Sequence, residues 1–199
     1  MSHQPARDLA EIRSMMERSS KFLSLSGWAG ILVGLYALAG VWAAYRWFGF
    51  HPTSFQYSSE SLMEVIGLAI LVLVLAIATA MLLSGKQQAK KGEKGFTPAS
   101  RQLLAALTLP LAVGGVLILA LVWHGFVGLA APLMLLFYGL ALHAASRFTY
   151  EVVGVLGWIQ IALGLGAVVW IGYGLWFWAA GFGLAHIGYG IYVKAKVEP

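Results

Sequence analysis

The chain has no cysteine among its 199 residues and a single aspartate, Asp8. Without cysteine there can be no disulfide, thiolate nucleophile, Cys-ligated metal or iron–sulfur cluster. With one aspartate, EF-hand calcium loops and two-metal phosphoryl chemistry have no ligand set. Charge is also scarce. Only 11% of residues are charged and 60% are hydrophobic, against about 25% and about 45–50% in an ordinary soluble domain. No motif that specifies a reaction is present, so a non-enzymatic protein with no catalytic residue and no metal site is expected.

The scarcity of charge is organised. Gln102 to Ser146 contains no Asp, Glu, Lys or Arg, and neither does Val152 to Val193; shorter charge-free stretches run from Phe22 to Tyr45 and from Val65 to Gly85. A helix needs about 20 apolar residues to cross roughly 30 Å of hydrocarbon. Each long stretch therefore suits two spans, with turn signals at His124-Gly125 and Gly172-Tyr173-Gly174. The spacing predicts an all-α integral membrane protein, a bundle of six transmembrane helices over 24–48, 62–84, 99–123, 126–147, 151–171 and 174–194, with a tail at 195–199. Ser61 and Glu64 form a capping-box pattern before the second helix, and Thr97-Pro98 pairs an N-cap with a proline at the first helical position of the third.

Positive charge orients the bundle. Six spans place Arg7, Arg13, Arg18, Lys21, Lys86, Lys90, Lys91, Lys94, Arg101, Arg147, Lys194 and Lys196 on one side and Arg46 alone on the other. Cytoplasmic loops are the ones enriched in Lys and Arg, so both ends are expected in the cytoplasm. Most tryptophans then fall at the outer boundary, where indole rings anchor. The alternating charges of residues 1–21 do not resemble a cleaved signal. The basic loop around Lys86 to Lys94 reads as a topology signal resting on anionic lipid, not as a nucleic-acid site. Leu9, Ile12, Met16 and Leu23 repeat at helical spacing, which predicts an amphipathic cytoplasmic or interfacial helix over 1–23, either an anchor on the inner leaflet or a docking helix.

Within the spans, Gly27, Gly30, Gly34 and Ala37 make a small-residue stripe that lets helices approach closely, inside the bundle or between copies as a homo-oligomer. Gly27-Trp28 and Gly157-Trp158 open similar segments, as in a weak parallel repeat. Polar groups deep in a bilayer are costly and mark candidate sites. His186 and Gln160 each lie 13 residues from Tyr173, and Tyr138 lies 13 after Gly125, so the three share a depth; Tyr36 in the first span is close to it. These four are candidate ligand-binding residues. The structural alternative is that Gln160 and His186 bond to each other and lock two helices. His143 lies nearer the cytoplasm than His186 by roughly 9–10 Å of helical rise, which disfavours a bis-histidine haem, and no cofactor is expected. Pro110 falls inside the third span, either as a static kink or as a hinge with a freed carbonyl that Thr108 could satisfy. Arg46 and Glu64 are level at the outer face and form a candidate pair.

The segment Glu11-Ile-Arg-Ser-Met-Met-Glu-Arg-Ser-Ser-Lys-Phe-Leu-Ser-Leu-Ser-Gly27 resembles the opening of a group of small bacterial inner-membrane proteins of unknown function. The resemblance is sharp over about residues 11–40. It implies a bacterial inner-membrane location and, because such proteins are often encoded beside winged-helix regulators, a sensing or regulatory setting. It carries no catalytic residues. Together these readings predict a sensor or accessory subunit that binds a small apolar or amphipathic ligand or a membrane partner. The alternatives are a small-solute transporter or channel using Pro110, and a haem- or quinone-linked redox subunit.

Overall fold

The computed structural model describes residues 25–50, 59–90, 92 and 97–198. The segment 1–23 expected to be amphipathic, most of the segment resembling the bacterial group, Lys91, Lys94 and residues 51–58 lie outside the described residues. Among the described residues the fold is entirely helical, with no strand. Six helices follow in order: α1 (Gly27–Arg46), α2 (Ser59–Lys90), α3 (Pro98–Trp123), α4 (Ala130–Ala145), α5 (Glu151–Val169) and α6, which runs without a break through Gly174–Trp178, Ala179–Ala185 and His186–Lys196. Five of them, with α4 extended to Val127–Phe148 by short 3-10 turns, are long and apolar enough to cross a membrane. The middle segment of α6, Ala179–Ala185, is a π-helix.

Local chemistry explains several ends. The Thr97 side chain accepts from the Ser100 N–H at 3.1 Å and Pro98 opens α3. Gly125, at φ 86°, ends the turn after α3, a left-handed conformation that glycine adopts at little cost. The expected helix over 62–84 starts earlier and is longer: α2 already begins at Ser59, so Ser61 lies inside the helix. Pro110 sits within an unbroken α3. The Thr108 hydroxyl donates to the Leu104 carbonyl at 2.8 Å, not to Ala106, whose carbonyl the proline leaves free.

Glycine decides which helices meet closely. Side chains added at Gly139 and Gly157 would each strike the other's carbonyl oxygen, at 2.7 and 2.8 Å, so α4 and α5 touch backbone to backbone. The stripe on α1 does the same against α6. A Cβ at Gly27 would lie 2.6 Å from the Gly190 oxygen, and one at Gly34 2.6 Å from the Gly183 oxygen. The small face of α1, with Ala37 buried beside it, is thus covered by α6 of the same chain.

The pairing gives an open order: α2 lies on α1, α1 on α6, α6 on the α4–α5 pair, and α3 on α4. The starts of α1, α3 and α5 and the ends of α4 and α6 gather at one end of the bundle. There Leu25, Ala99, Leu103, Leu142, Ala145, Val153 and Tyr189 contribute to two buried clusters. At this end the Gly27 N–H donates to the Glu198 carboxylate at 2.8 Å, and Lys194 Nζ sits 3.4 Å from the centre of the Trp28 ring.

Candidate functional site

The buried polar side chains among the described residues include Gln160 on α5 and His186 on α6. Tyr138 on α4 joins them. Its hydroxyl lies 2.9 Å from His186 Nε2, while His186 Nδ1 lies 3.0 Å and Gln160 Nε2 2.9 Å from the Gly181 carbonyl oxygen.

The carbonyl settles the protons. A carbonyl oxygen only accepts, so Nδ1 of His186 must carry hydrogen and donate to it. The neutral imidazole then has its lone pair on Nε2, and the Tyr138 hydroxyl donates there. The 3.5 Å approach of Gln160 Nε2 to His186 Nδ1 is a meeting of two donors that share one acceptor, not a bond between them. The expected direct Gln160–His186 bond is thereby replaced by a three-helix arrangement centred on a backbone oxygen. The amide cannot be turned round, because Oε1 would then face the Gly181 oxygen. In its present orientation Oε1 is buried with no hydrogen-bond partner. It lies against Gly181 where a Cβ would otherwise stand.

The π segment is what presents the carbonyl. In a regular α-helix Gly181 would accept from the Ala185 N–H. In the π segment the carbonyl is turned from that position, and the Gln160 and His186 side-chain donors reach it. Short π stretches are rare and concentrate at functional sites. Aromatic rings enclose the cluster. Phe182 stacks on His186 at 5.9 Å and 16°, and lies 5.1 Å from Tyr138 and 4.8 Å from Trp178.

Of the four residues expected at one depth, the structure brings together Tyr138, Gln160 and His186. Tyr36 does not join them. It faces α2, where the Thr79 hydroxyl donates to its oxygen at 3.4 Å. Arg46 and Glu64 are both exposed and form no ion pair with each other. Pro110 lies on α3, which packs chiefly on α4. A haem iron at His186 would have to displace the Tyr138 hydroxyl from Nε2. His143 has its own buried and unpartnered Nδ1 and packs on Trp158 at 4.9 Å. Gly181, Phe182 and Thr79 were not anticipated. The Phe182–His186 spacing of one helical turn is the only sequence signal that points at any of them.

What the geometry defines is an apolar helical bundle of membrane-protein type with a neutral hydrogen-bonded centre. Comparison with protein-family models, curated proteins and solved structures returns no match to this chain.

Proposed function

We propose that all six helices cross the bilayer of a bacterial inner membrane, with both ends on the cytoplasmic side, and that the protein is a non-enzymatic sensor or accessory subunit. Its ligand is a small apolar or amphipathic molecule whose polar group meets Tyr138, Gln160 and His186. The observation that carries this reading is the convergence of three polar side chains from three helices among apolar residues, Gln160 and His186 buried and Tyr138 half-buried. Such groups are expensive in hydrocarbon and are kept where they serve a function. The side sharing the starts of α1, α3 and α5 and the ends of α4 and α6 is also the side on which Arg101, Arg147, Lys194 and Lys196 fall, in keeping with the positive-inside rule. The transport reading draws no support from α3, which is unbroken at Pro110.

The test is photolabelling of the full chain in lipid nanodiscs with a diazirine fatty acid, followed by peptide mapping. Labelling concentrated on peptides containing Tyr138 and Phe182, and reduced at least about fivefold in a Gln160→Ala/His186→Ala double variant, supports the reading. Labelling spread evenly over α2 and α3 and indifferent to that variant refutes it.

A further inference from the structure

The π segment of α6 lies between two things the chain could connect: the polar centre and the end of the bundle where α1 begins. Beyond the segment, His186–Lys196 continues directly to Lys194, whose ammonium covers Trp28, and to Glu198, whose carboxylate accepts from the Gly27 N–H. Ser26, at the N-cap of α1, makes no side-chain cap bond. The free amide of the first turn is held by the far end of the chain instead.

A π turn takes up one more residue than an α turn. If Ala179–Ala185 relaxed to α geometry, everything after it would rotate by about one residue's angle, roughly 100°. In the present register Gly190 is the residue that lets α6 touch α1, with its missing Cβ directed at the Gly27 oxygen and at Ile31. After such a rotation a side chain would stand in that place. The close contact, the Lys194–Trp28 stack and the Glu198–Gly27 bond would all open together.

What opposes relaxation is on the page. In α geometry the Gly181 carbonyl would turn to the Ala185 N–H, away from the Gln160 and His186 side-chain donors that now converge on it. We propose that Ala179–Ala185 is a two-position switch, latched in its π register by Gln160 and His186, and that its release loosens the start of α1 through the Glu198–Gly27 clasp. Packed helices have discrete arrangements, so a small change at the latch yields a whole step at the far end. The switch stands on this geometry and does not require the ligand proposed above.

The absence of cysteine makes the test direct. Single cysteines are placed in turn from Ile187 to Ala195 of the full chain, Gly190 excepted, spin-labelled in nanodiscs, and scanned for oxygen accessibility. In the parent the accessibility pattern peaks near Gly188, Ile191 and Tyr192, is lowest at Val193 and rises again at Lys194 and Ala195, following their exposure. Gln160→Met, which keeps the volume and removes the donor, should move the phase of that pattern by about 100°. It should also speed amide hydrogen exchange in the first turn of α1 at least about tenfold. Removing Ala180 in the Gln160→Met chain takes out the extra residue and should restore the parental phase. His186→Phe keeps the ring stack without the Nδ1–H and should act like Gln160→Met. If Gln160→Met is not monodisperse, His186→Phe decides alone. An unchanged phase and unchanged exchange, or a shift that removal of Ala180 does not reverse, overturns the switch.

Discussion

α1 and α2 are neighbours in the chain and opposites in packing. In α1, 44% of the membrane-length window is buried against other helices; in α2, the most apolar of the five long helices, none of it is. α3 resembles α2, with 6% buried, while α4 and α5 lie between, at 28% and 33%. The two most hydrophobic helices are thus the two least covered by protein. In water this would be an inverted molecule. In a bilayer it is the expected order, because lipid is as apolar as leucine and gives no drive to bury it. The inner helices associate by other means: glycine contacts between α1 and α6 and between α4 and α5, and a hydrogen-bonded centre.

The sharpest way to break this comparison is to put a charge on α2. Leu73 is exposed midway along it, and Leu73→Arg should cost about 2.5–3.5 kcal/mol of membrane insertion, read by glycosylation mapping. A neutral result would mean that this face meets water. The next effect lies in the inner helices. Gly157→Leu must force α4 and α5 apart and should cost about 1–3 kcal/mol, as overpacking does, in reversible unfolding in mixed micelles. Gly67→Leu on α2, where a Cβ meets nothing within 4 Å, should stay within about 0.5 kcal/mol. Equal losses would erase the distinction between inner and outer helices. Tyr138→Phe removes one membrane hydrogen bond and should cost about 0.6 kcal/mol, and no more than about 1.7, in the same assay. Of similar size is Glu198→Gln, which removes a negative charge from the first turn of α1. A loss of about 0.3–1 kcal/mol is expected, fading as salt is raised from low to high, whereas a salt-independent loss would point to packing instead.

Depth was legible in the sequence, and direction was not. Counting 13 residues from each turn places Tyr138, Gln160 and His186 in one layer because a helix rises by a constant amount per residue. The same count puts Tyr36 nearby, yet Tyr36 turns toward Thr79 on α2. Its azimuth depends on where α6 settles against the glycine face of α1. That face was readable at Gly27, Gly30 and Gly34, but its partners Gly183 and Gly190 were not, since pairing is a property of two helices and a stripe belongs to one. The π segment Ala179–Ala185 had no signature in the order of its small residues. It becomes visible only when Gln160 arrives from α5 and His186 folds back onto the Gly181 carbonyl.

The sequence by itself determined the long apolar helices, the lopsided distribution of lysine and arginine, and the cap at Thr97. These depend on composition and on contacts within a few residues, where solvent and backbone sterics leave little choice. Tertiary structure alone decided that α6 covers the face of α1, that α2 and α3 stand outside, and that one backbone oxygen, Gly181, becomes the meeting point of α4, α5 and α6. Those outcomes are set by close packing between segments far apart in the chain. Removing a single Cβ there changes which surfaces fit, while hydropathy, nearly uniform along the spans, cannot distinguish among them.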